Sequence, residues 1–338
     1  MNATDTDAAG LSALVTAGGP ALRADLEQVE RQLAGVLESY APLIADPAAA
    51  TIAAGGKRLR PLLVLIAADR SGSTQPLPAA LLRAAASVEL IHAATLVHDD
   101  VLDSADLRRG MPTVVAARGR DIATAVGDLL FSRAFALLAL NRDAAQLRAL
   151  SSASSALARG ELLQREDAYD ATIDVERYLL RCEFKTARLF EAACRLGVLA
   201  GSTHAAAAAS MADELAPFGV RIGLAFQLLD DVLDVSGPPE RTGKPRGADL
   251  LDGTVTLPLI LARERDPELA SVDLRSIADP AQAAEVCMRI ERTGALDQAR
   301  EMAWGIVAQA KSSLGAALGP ARREALERVA DSVVARYA

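Results

Sequence analysis

Residues 92–113 read HAATLVHDDVLDSADLRRGMPT and combine an apolar approach, a cluster of aspartates and a pair of arginines in one short stretch. In a helix, Asp99 and Asp103 lie about one turn apart on the same face, and Asp100 lies roughly 100° around the axis from Asp99. Like charges placed this closely destabilise a helix unless a cation lies between them. The stretch therefore predicts either a cation site or a solvated acidic patch.

A second cluster of the same form, Asp230, Asp231 and Asp234, lies in QLLDDVLD at residues 227–234. Both clusters follow apolar turns, so both are expected near the interior, where an unpaired carboxylate is costly. Carboxylates with little His or Cys nearby suit a hard cation, magnesium above all, and magnesium commonly shares its coordination shell with substrate phosphates. Two facing acidic clusters predict a metal-bound diphosphate between them; the alternative is two unrelated solvated patches.

A basic cluster lies in GGKRLRP, residues 55–61, and its members are Lys57, Arg58 and Arg60. Cations at the start of a helix oppose the helix dipole, and an anion bound there would reverse that cost. Arg108 and Arg109 add planar donors suited to bidentate phosphate contacts. The sequence thus predicts a second, directly bound diphosphate, with a basic surface corner and ion pairs to neighbouring aspartates as the alternatives.

The composition favours an all-α protein. Hydrophobic residues make up 51% of the 338 residues but aromatic residues only 3%, and much of the apolar content is Ala and Leu, which suits helix–helix packing. We expect a frayed N-terminus over residues 1–20 and a single helical domain over residues 21–338. Three- and four-residue apolar spacing predicts the following helices: 22–37, 79–103, 120–140, 143–167, 173–200, 205–235, 254–265, 281–292, 296–317 and 320–336.

Charge and cysteine usage narrow the class of protein further. The net charge of −8 argues against a nucleic-acid partner. Cys182, Cys194 and Cys287 form no CxxC pair, which fits a reduced cytosolic protein, and no secretory signal is visible. The uncharged run at residues 196–212 is short and diluted by polar residues, so it is not expected to span a membrane. We therefore expect a cytoplasmic protein.

Taken together, five segments resemble the trans-polyprenyl diphosphate synthases in their order and spacing, over roughly residues 50–265. They are GGKRLRP, LIHAATLVHDDVLDSADLRRGMPT, KTARLF, FQLLDDVLD and GKPRGADLLDGTVTLPLI. The resemblance implies an isoprenoid synthase fold, a large helical bundle around a central cavity, normally as a homodimer. It also implies that about three magnesium ions per site lie between two aspartate-rich helices, where isopentenyl diphosphate is condensed with an allylic diphosphate.

The resemblance also implies roles for individual residues. Direct magnesium ligation falls to Asp99, Asp103 and Asp230, and ligation or water orientation to Asp100, Asp231 and Asp234. The isopentenyl diphosphate is held by Lys57, Arg60, His92 and Arg109. The allylic diphosphate is held by Arg108, Lys185, Thr186, Gln227 and Lys244, with Lys185 counted among the catalytic residues. His98 is expected to pack or to lie in an outer shell, His204 to lie at the surface, and Glu161 and Gln164 are assigned no chemistry.

One position departs from the family. After Gly253 many members carry a lysine, whereas this chain has Thr254. A hydroxyl can still donate a hydrogen bond, but the charge-assisted contact to the allylic diphosphate is lost. Lys244 and Arg246, in the same loop, are candidates to replace it.

Product length follows, by the same resemblance, from residues upstream of the first acidic cluster. The side chains eight, five and four positions before Asp99 are Ile91, Ala94 and Thr95. Because the nearer two are small, we expect a tunnel open beyond the geranylgeranyl length, with Phe131 and Phe135 as a deeper floor. The product would then be long-chain, and transient membrane association could accompany its release.

Three alternatives remain at this point. The first is a geranylgeranyl diphosphate synthase. The second is a class I terpene cyclase, against which the isopentenyl-binding set argues. The third is a non-catalytic partner subunit, which would not need both acidic clusters.

Overall fold

The computed structural model describes residues 19–38, 40–53, 58–70, 72–108, 110–237, 245–315 and 317–335. This part of the chain is a bundle of α-helices, which confirms the predicted all-α class. The α-helices are α1 (Gly19–Gly35), α2 (Pro42–Ala53), α3 (Leu59–Ala67), α4 (Ala79–Leu102), α5 (Val114–Arg118), α6 (Arg120–Ala139), α7 (Ala144–Glu166), α8 (Val175–Cys182), α9 (Arg188–Gly201), α10 (Ala205–Ser236), α11 (Ala248–Leu251), α12 (Leu257–Arg263), α13 (Pro267–Ala270), α14 (Pro280–Arg292), α15 (Ala295–Ser312) and α16 (Pro320–Ala335). The frayed segment expected over residues 1–20 lies almost wholly outside the described residues.

Two short non-α features matter for the site. Strands β1 (Leu107–Arg108) and β2 (Met111–Pro112) pair antiparallel directly after α4, and Leu107 lies opposite Pro112. A π-helical turn, Glu183–Ala187, joins α8 to α9, so the predicted helix over 173–200 is one nearly continuous element. Such turns insert one extra residue into a helix and often occur at functional sites.

Helices α4 and α10 form the centre of the bundle. Helix α4 packs against α1, α3, α6 and α9, and α10 packs mainly against α9 and α15. Buried side chains occur around most of the circumference of α4, from Leu81 to Val101, as expected for a helix surrounded by other helices. Each fully buried Leu, Ile or Val contributes about 1.5–3 kcal/mol. Because both acidic clusters lie on these central helices, their positions are set by the core.

The basic segment leads into a buried helix that begins two residues before Pro61. Helix α3 begins at Leu59, and the side chains from Pro61 to Ala67 are all buried. Pro61 is tolerated there because the first turn of a helix leaves its N–H groups without intrahelical partners. Another difference is α15, which ends at Ser312 rather than 317; Ser313 and Gly315 follow, and these residues favour a helix end.

Two helices, Ala79–Leu102 and Arg120–Ala139, are long and apolar enough to cross a membrane by length and composition alone. Core helices pass the same test, and these two pack against each other in the bundle. The apolar window of α4 is 67% buried, whereas that of α6 is only 39% buried. The exposed positions of α6 include Asp121, Thr124 and Asp128, whereas its large apolar side chains are buried or partly buried against the core.

Candidate active site

The two acidic clusters occupy the C-terminal parts of α4 and α10, and each contains one buried carboxylate. Asp100 and Asp231 are each only 4% exposed. The remaining members, Asp99, Asp103, Asp230 and Asp234, are partly exposed. Burial therefore divides each predicted cluster into an internal carboxylate and others that border the site.

The internal carboxylate of the first cluster is held by an arginine. Arg108, in β1, donates from Nε and Nη2 to Oδ1 of Asp100 at 2.9 and 2.7 Å. This contact is the ion-pair alternative considered for Arg108. Because the turn after α4 brings β1 back beside the helix end, the pair stabilises the position of the first cluster.

The internal carboxylate of the second cluster is held by neutral donors. Tyr178 Oη donates to Oδ2 of Asp231 at 2.6 Å, and Gln227 Nε2 donates to Oδ1 at 2.7 Å. Thr186 in turn donates to Gln227 Oε1 at 2.7 Å. Burial raises the pKa of Asp231. Two predicted substrate-binding residues, Thr186 and Gln227, are thus linked to the second cluster by hydrogen bonds, and Tyr178 is a member of this network that the sequence reasoning missed.

Lys185 lies between the first acidic cluster and α7. Its Nζ donates to Oε2 of Glu161 at 2.5 Å. Although burial lowers the pKa of Lys185, the nearby Asp99 and Glu161 carboxylates raise it overall. Burial raises the pKa of Asp99 to about 6, and the charge of Lys185 opposes that rise. Glu161, to which the sequence assigned no chemistry, therefore positions the predicted catalytic lysine.

A second cation reaches the first cluster from α7. Arg165 donates from Nη2 to Oδ1 of Asp103 at 2.5 Å and from Nε to Oε1 of Glu161 at 2.9 Å. Asp103, Arg165, Glu161 and Lys185 thus form a continuous chain of alternating charges along one border of the site. Arg165 was not among the predicted site residues, and no motif of the sequence marks it.

Close approach of α7 to the π-helical turn depends on a glycine. A Cβ atom at Gly160 would lie 2.4 Å from the backbone nitrogen of Lys185. On the opposite side, a Cβ atom at Gly223 of α10 would lie 2.5 Å from Cα of Ala187. The extra residue of the turn therefore fits between two glycines, and this packing brings Lys185 to the site.

The basic segment divides into one structural arginine and one arginine beside the site. Arg58 donates to Glu30 and, at 2.8 Å, to Glu89, which explains it as a packing residue. Arg60 lies over the ring of Phe190, 4.5 Å from its centroid, and Glu89 and Asp230 are the carboxylates whose charges act on it. Burial lowers the pKa of Arg60 to about 10, so it remains a cation at neutral pH.

Several predicted residues remain to be placed. Lys57, Arg109 and Lys244 lie outside the described residues. His92 is partly buried in α4, about two turns before Asp99, and its carbonyl accepts a hydrogen bond from Thr95. Arg246 donates to the carbonyl of Val235, and its Nη2 lies 2.7 Å from Glu291, so its guanidinium is already engaged. The suggestion that Arg246 replaces the family lysine is therefore not supported by its contacts.

Of the residues expected to control product length, three occupy α4 on a face shared with His98, which contacts α6. Ile91 and Ala94 are fully buried, and Thr95 is partly buried. Phe131, on α6, stacks on His98 with ring centroids 5.7 Å apart, which agrees with a packing role for His98. Phe135 is partly buried and packs against the core, whereas His204 is exposed at the start of α10.

The residues present fit a magnesium ion that shares its shell with a substrate. Within the described ranges, no group of three His, Cys, Asp or Glu side chains converges closely enough to hold a metal ion alone. Burial nevertheless raises the pKa of Asp99 to about 6 despite the opposing charge of Lys185, so a bound cation would stabilise the ionised carboxylate. Magnesium keeps waters and binds through a few carboxylates plus phosphate oxygens, which suits this arrangement.

Known proteins share this sequence and fold. A profile of the family described as polyprenyl synthetase matches residues 41–290, which include both acidic clusters and the basic segment. Heptaprenyl diphosphate synthase component 2 of Geobacillus stearothermophilus is 39% identical over 276 residues, covering 81% of this chain and 84% of that protein. A polyprenyl synthase from Caulobacter crescentus, solved with calcium and isoprenyl diphosphate, has a TM-score of 0.88 at 36% identity, covering 97% of this chain and 98% of that one. A decaprenyl diphosphate synthase from Rhodobacter capsulatus has a TM-score of 0.85 at 32% identity, covering 97% and 99%.

Proposed function

The chain belongs to the polyprenyl synthetase family and is a prenyltransferase, and from this membership we propose that it condenses isopentenyl diphosphate with an allylic diphosphate in a magnesium-dependent reaction that makes a long-chain product. The observation that carries the proposal is that cationic side chains lie beside the carboxylates of both acidic helices. Lys185 and Arg165 lie beside Asp99 and Asp103, and Arg60 lies beside Asp230. This arrangement suits a metal-bound diphosphate, because the carboxylates can bind its metal ions and the cationic side chains can bind its phosphate oxygens.

Two substrate subsites follow from this arrangement. We assign the isopentenyl diphosphate to the side of the basic segment, with Lys57, Arg60, His92 and Arg109. We assign the allylic diphosphate to the side of the π-helical turn. Its residues there are Arg108, Lys185, Thr186, Gln227 and Lys244. The buried positive charge of Arg60 supports a subsite for the diphosphate of isopentenyl diphosphate. This second subsite argues against a class I terpene cyclase, which would not need it.

In the proposed reaction the cationic side chains stabilise charge as it develops on the departing diphosphate. Bound magnesium, about three ions by family resemblance, would supply further Lewis-acid stabilisation of the same charge. Asp99, Asp103 and Asp230 would hold it, while Asp100 and Asp231 position the two helix ends through their hydrogen bonds. Isopentenyl diphosphate, aligned by the basic segment, then attacks the allylic cation, and a proton is lost to the released diphosphate. The apolar core below Asp99 excludes water from the cation.

A long-chain product is supported by the small side chains upstream of Asp99 and by the relatives. The side chain of Ala94, five residues before Asp99, is only a methyl group. The relatives include proteins described as heptaprenyl and decaprenyl diphosphate synthases. A geranylgeranyl product is the alternative, and chromatography of the dephosphorylated products distinguishes the two.

Assembly and location form part of the proposal. We propose a cytoplasmic homodimer, supported by the exposed apolar side chains of Leu140 and Leu162, which are 63% and 65% exposed. Transient membrane contact would accompany release of an apolar product. The relative described as a component of a heptaprenyl synthase favours one further possibility, a catalytic chain that works with a partner subunit.

One prediction concerns the residue that departs from the family. Replacing Thr254 with lysine should lower the apparent Michaelis constant for the allylic substrate, because a charge-assisted contact to its diphosphate is added. Initial rates at varied allylic diphosphate and saturating isopentenyl diphosphate measure this. Thr254→Met, which adds length without charge, is the control. An unchanged or higher constant for Thr254→Lys would contradict the prediction.

The proposed function is tested directly with purified protein, magnesium and labelled isopentenyl diphosphate. Each allylic primer, from dimethylallyl to geranylgeranyl diphosphate, is supplied in turn. We expect incorporation of label and products longer than geranylgeranyl diphosphate. No incorporation with any primer would overturn the assignment of activity to this chain alone, and activity only after addition of a partner chain would favour the two-component form.

A further inference from the structure

Arg165 occupies a position that the sequence motifs do not explain. It lies in the last turn of α7, directly after Gln164, and its side chain is about two-fifths exposed. Its guanidinium connects two carboxylates, Asp103 at 2.5 Å and Glu161 at 2.9 Å. Because Glu161 also accepts from Lys185, Arg165 and Lys185 lie on either side of one glutamate, beside the first acidic cluster. Arg165 therefore lies on the same border of the site as the predicted catalytic lysine.

The end of α7 is also joined to the loop that carries Thr254. The backbone N–H of Tyr169, four residues beyond Arg165, donates to the carbonyl of Gly253 at 2.7 Å. A Cβ atom at Gly253 would lie 2.4 Å from the ring of Tyr169, so the two segments are in direct contact. The same loop reaches the second acidic cluster, because the N–H of Asp249 lies 3.3 Å from Oδ2 of Asp234. The segment that follows Arg165 is thus packed against Gly253, the residue directly before Thr254.

We propose that Arg165 binds the allylic diphosphate and supplies, from α7, the positive charge that Thr254 does not supply. The inference rests on the proposed function and adds a residue to its allylic subsite. With a cation bound at the first cluster, Asp103 would hold that cation, and one side of the Arg165 guanidinium would be free for the diphosphate. Glu161 keeps the other side and directs the freed N–H groups towards the diphosphate. An arginine suits this role because its planar fork can contact a carboxylate and a phosphate oxygen together.

The competing explanation is that Arg165 serves Asp103 alone, as a positioning residue for the metal site. The two explanations differ once the metal sites are filled. A positioning role would raise the magnesium concentration needed for activity, whereas a substrate contact would weaken diphosphate binding even at saturating magnesium. Direct binding of farnesyl thiolodiphosphate, an analogue that ionises slowly, therefore separates them by calorimetry.

For Arg165→Gln at saturating magnesium, we expect affinity for farnesyl thiolodiphosphate to fall by about 10- to 100-fold, since a hydrogen bond to a charged group contributes about 1.5–3 kcal/mol. The Michaelis constant for the allylic substrate should rise similarly, and that for isopentenyl diphosphate should stay unchanged. Arg165→Lys should recover part of the loss. The matched control is Arg159→Gln, on the same helix, whose guanidinium lies over the ring of Phe184, 4.5 Å from its centroid; it should change none of these constants.

The double variant Arg165→Gln with Thr254→Lys tests whether the two positions serve the same diphosphate. A larger gain in analogue affinity from Thr254→Lys in the Arg165→Gln protein than in the unmodified protein supports the inference, and an equal gain in both overturns it. Unchanged affinity in Arg165→Gln, with only a higher magnesium requirement, would assign Arg165 to Asp103 alone. Inactivity of the unmodified protein with every primer would instead count against the proposed function, so the two failures are distinguishable.

Discussion

Replacing Asp99 with asparagine is expected to lower kcat/KM by about 10³-fold or more, because a lost metal ligand removes several kcal/mol of stabilisation from the charge on the departing diphosphate. The carboxylate lies at the end of α4, beside Lys185 and Asp103, where the proposed metal–diphosphate complex would form. Steady-state rates across a range of magnesium concentrations measure the loss. Asp121→Asn, an exposed position in the first turn of α6, is the matched control and should keep its activity.

The same substitution should stabilise the protein in the absence of divalent metal. Burial raises the pKa of Asp99 from 3.8 to about 6, so ionising this carboxyl costs more free energy in the folded chain than in the unfolded chain. The resulting cost is absent below pH 4, grows as the pH rises through 4 to 6 and persists above it, on the order of 1–3 kcal/mol. Asparagine removes that cost, so thermal unfolding at pH 7.5 in EDTA should occur at a higher temperature for Asp99→Asn. A lower unfolding temperature would contradict the view that this carboxylate awaits a cation.

The second large effect concerns product length. Replacing Ala94 with phenylalanine should shorten the product by several isoprene units, because a ring at this fully buried position would block the proposed product tunnel. A series from Val through Leu to Phe should shorten it progressively. Reversed-phase chromatography of the dephosphorylated products measures the distribution at fixed primer concentration.

Overpacking of the core alone could alter activity, so the control variant must lose a similar amount of folding stability. Enlarging a buried alanine destabilises a core by about 1–3 kcal/mol. Ala93→Phe enlarges the neighbouring buried position on a different face of α4, and unfolding temperatures should fall similarly for both variants. Only Ala94→Phe should shorten the product. Equal shortening by both, or unchanged length in Ala94→Phe, would show that Ala94 does not line the tunnel.

Much of the fold could be predicted because its determinants are local. Apolar spacing placed α4, α6, α7 and α10 within a few residues of their observed ends, and Asp143 caps α7 by accepting from the N–H of Ala145 at 2.8 Å. The exceptions are also local in origin. The π-helical turn at Glu183–Ala187 leaves little trace in a periodic pattern, since it inserts a single residue into an otherwise regular helix.

The roles within the acidic clusters could not be read from spacing. Asp99 and Asp100 are adjacent in sequence, yet only Asp100 is buried and paired with Arg108. In the second cluster, Asp231 is the member that accepts from Tyr178, a residue 53 positions away. Which carboxylate faces the core depends on the rotation of each helix, and that rotation is set by packing against other helices.

The sequence by itself determined the helical class, the two aspartate clusters and the family to which the chain belongs. Helix periodicity and sequence motifs depend only on residues that are close together in the sequence. Only the tertiary structure brought Arg165 to Asp103, 62 residues away, and packed the π-helical turn that carries Lys185 between Gly160 and Gly223. Contacts of this kind join side chains from different helices, so they exist only once the core has fixed how those helices cross. The physical reason is that burial and charge pairing depend on three-dimensional neighbours, which a linear pattern does not specify.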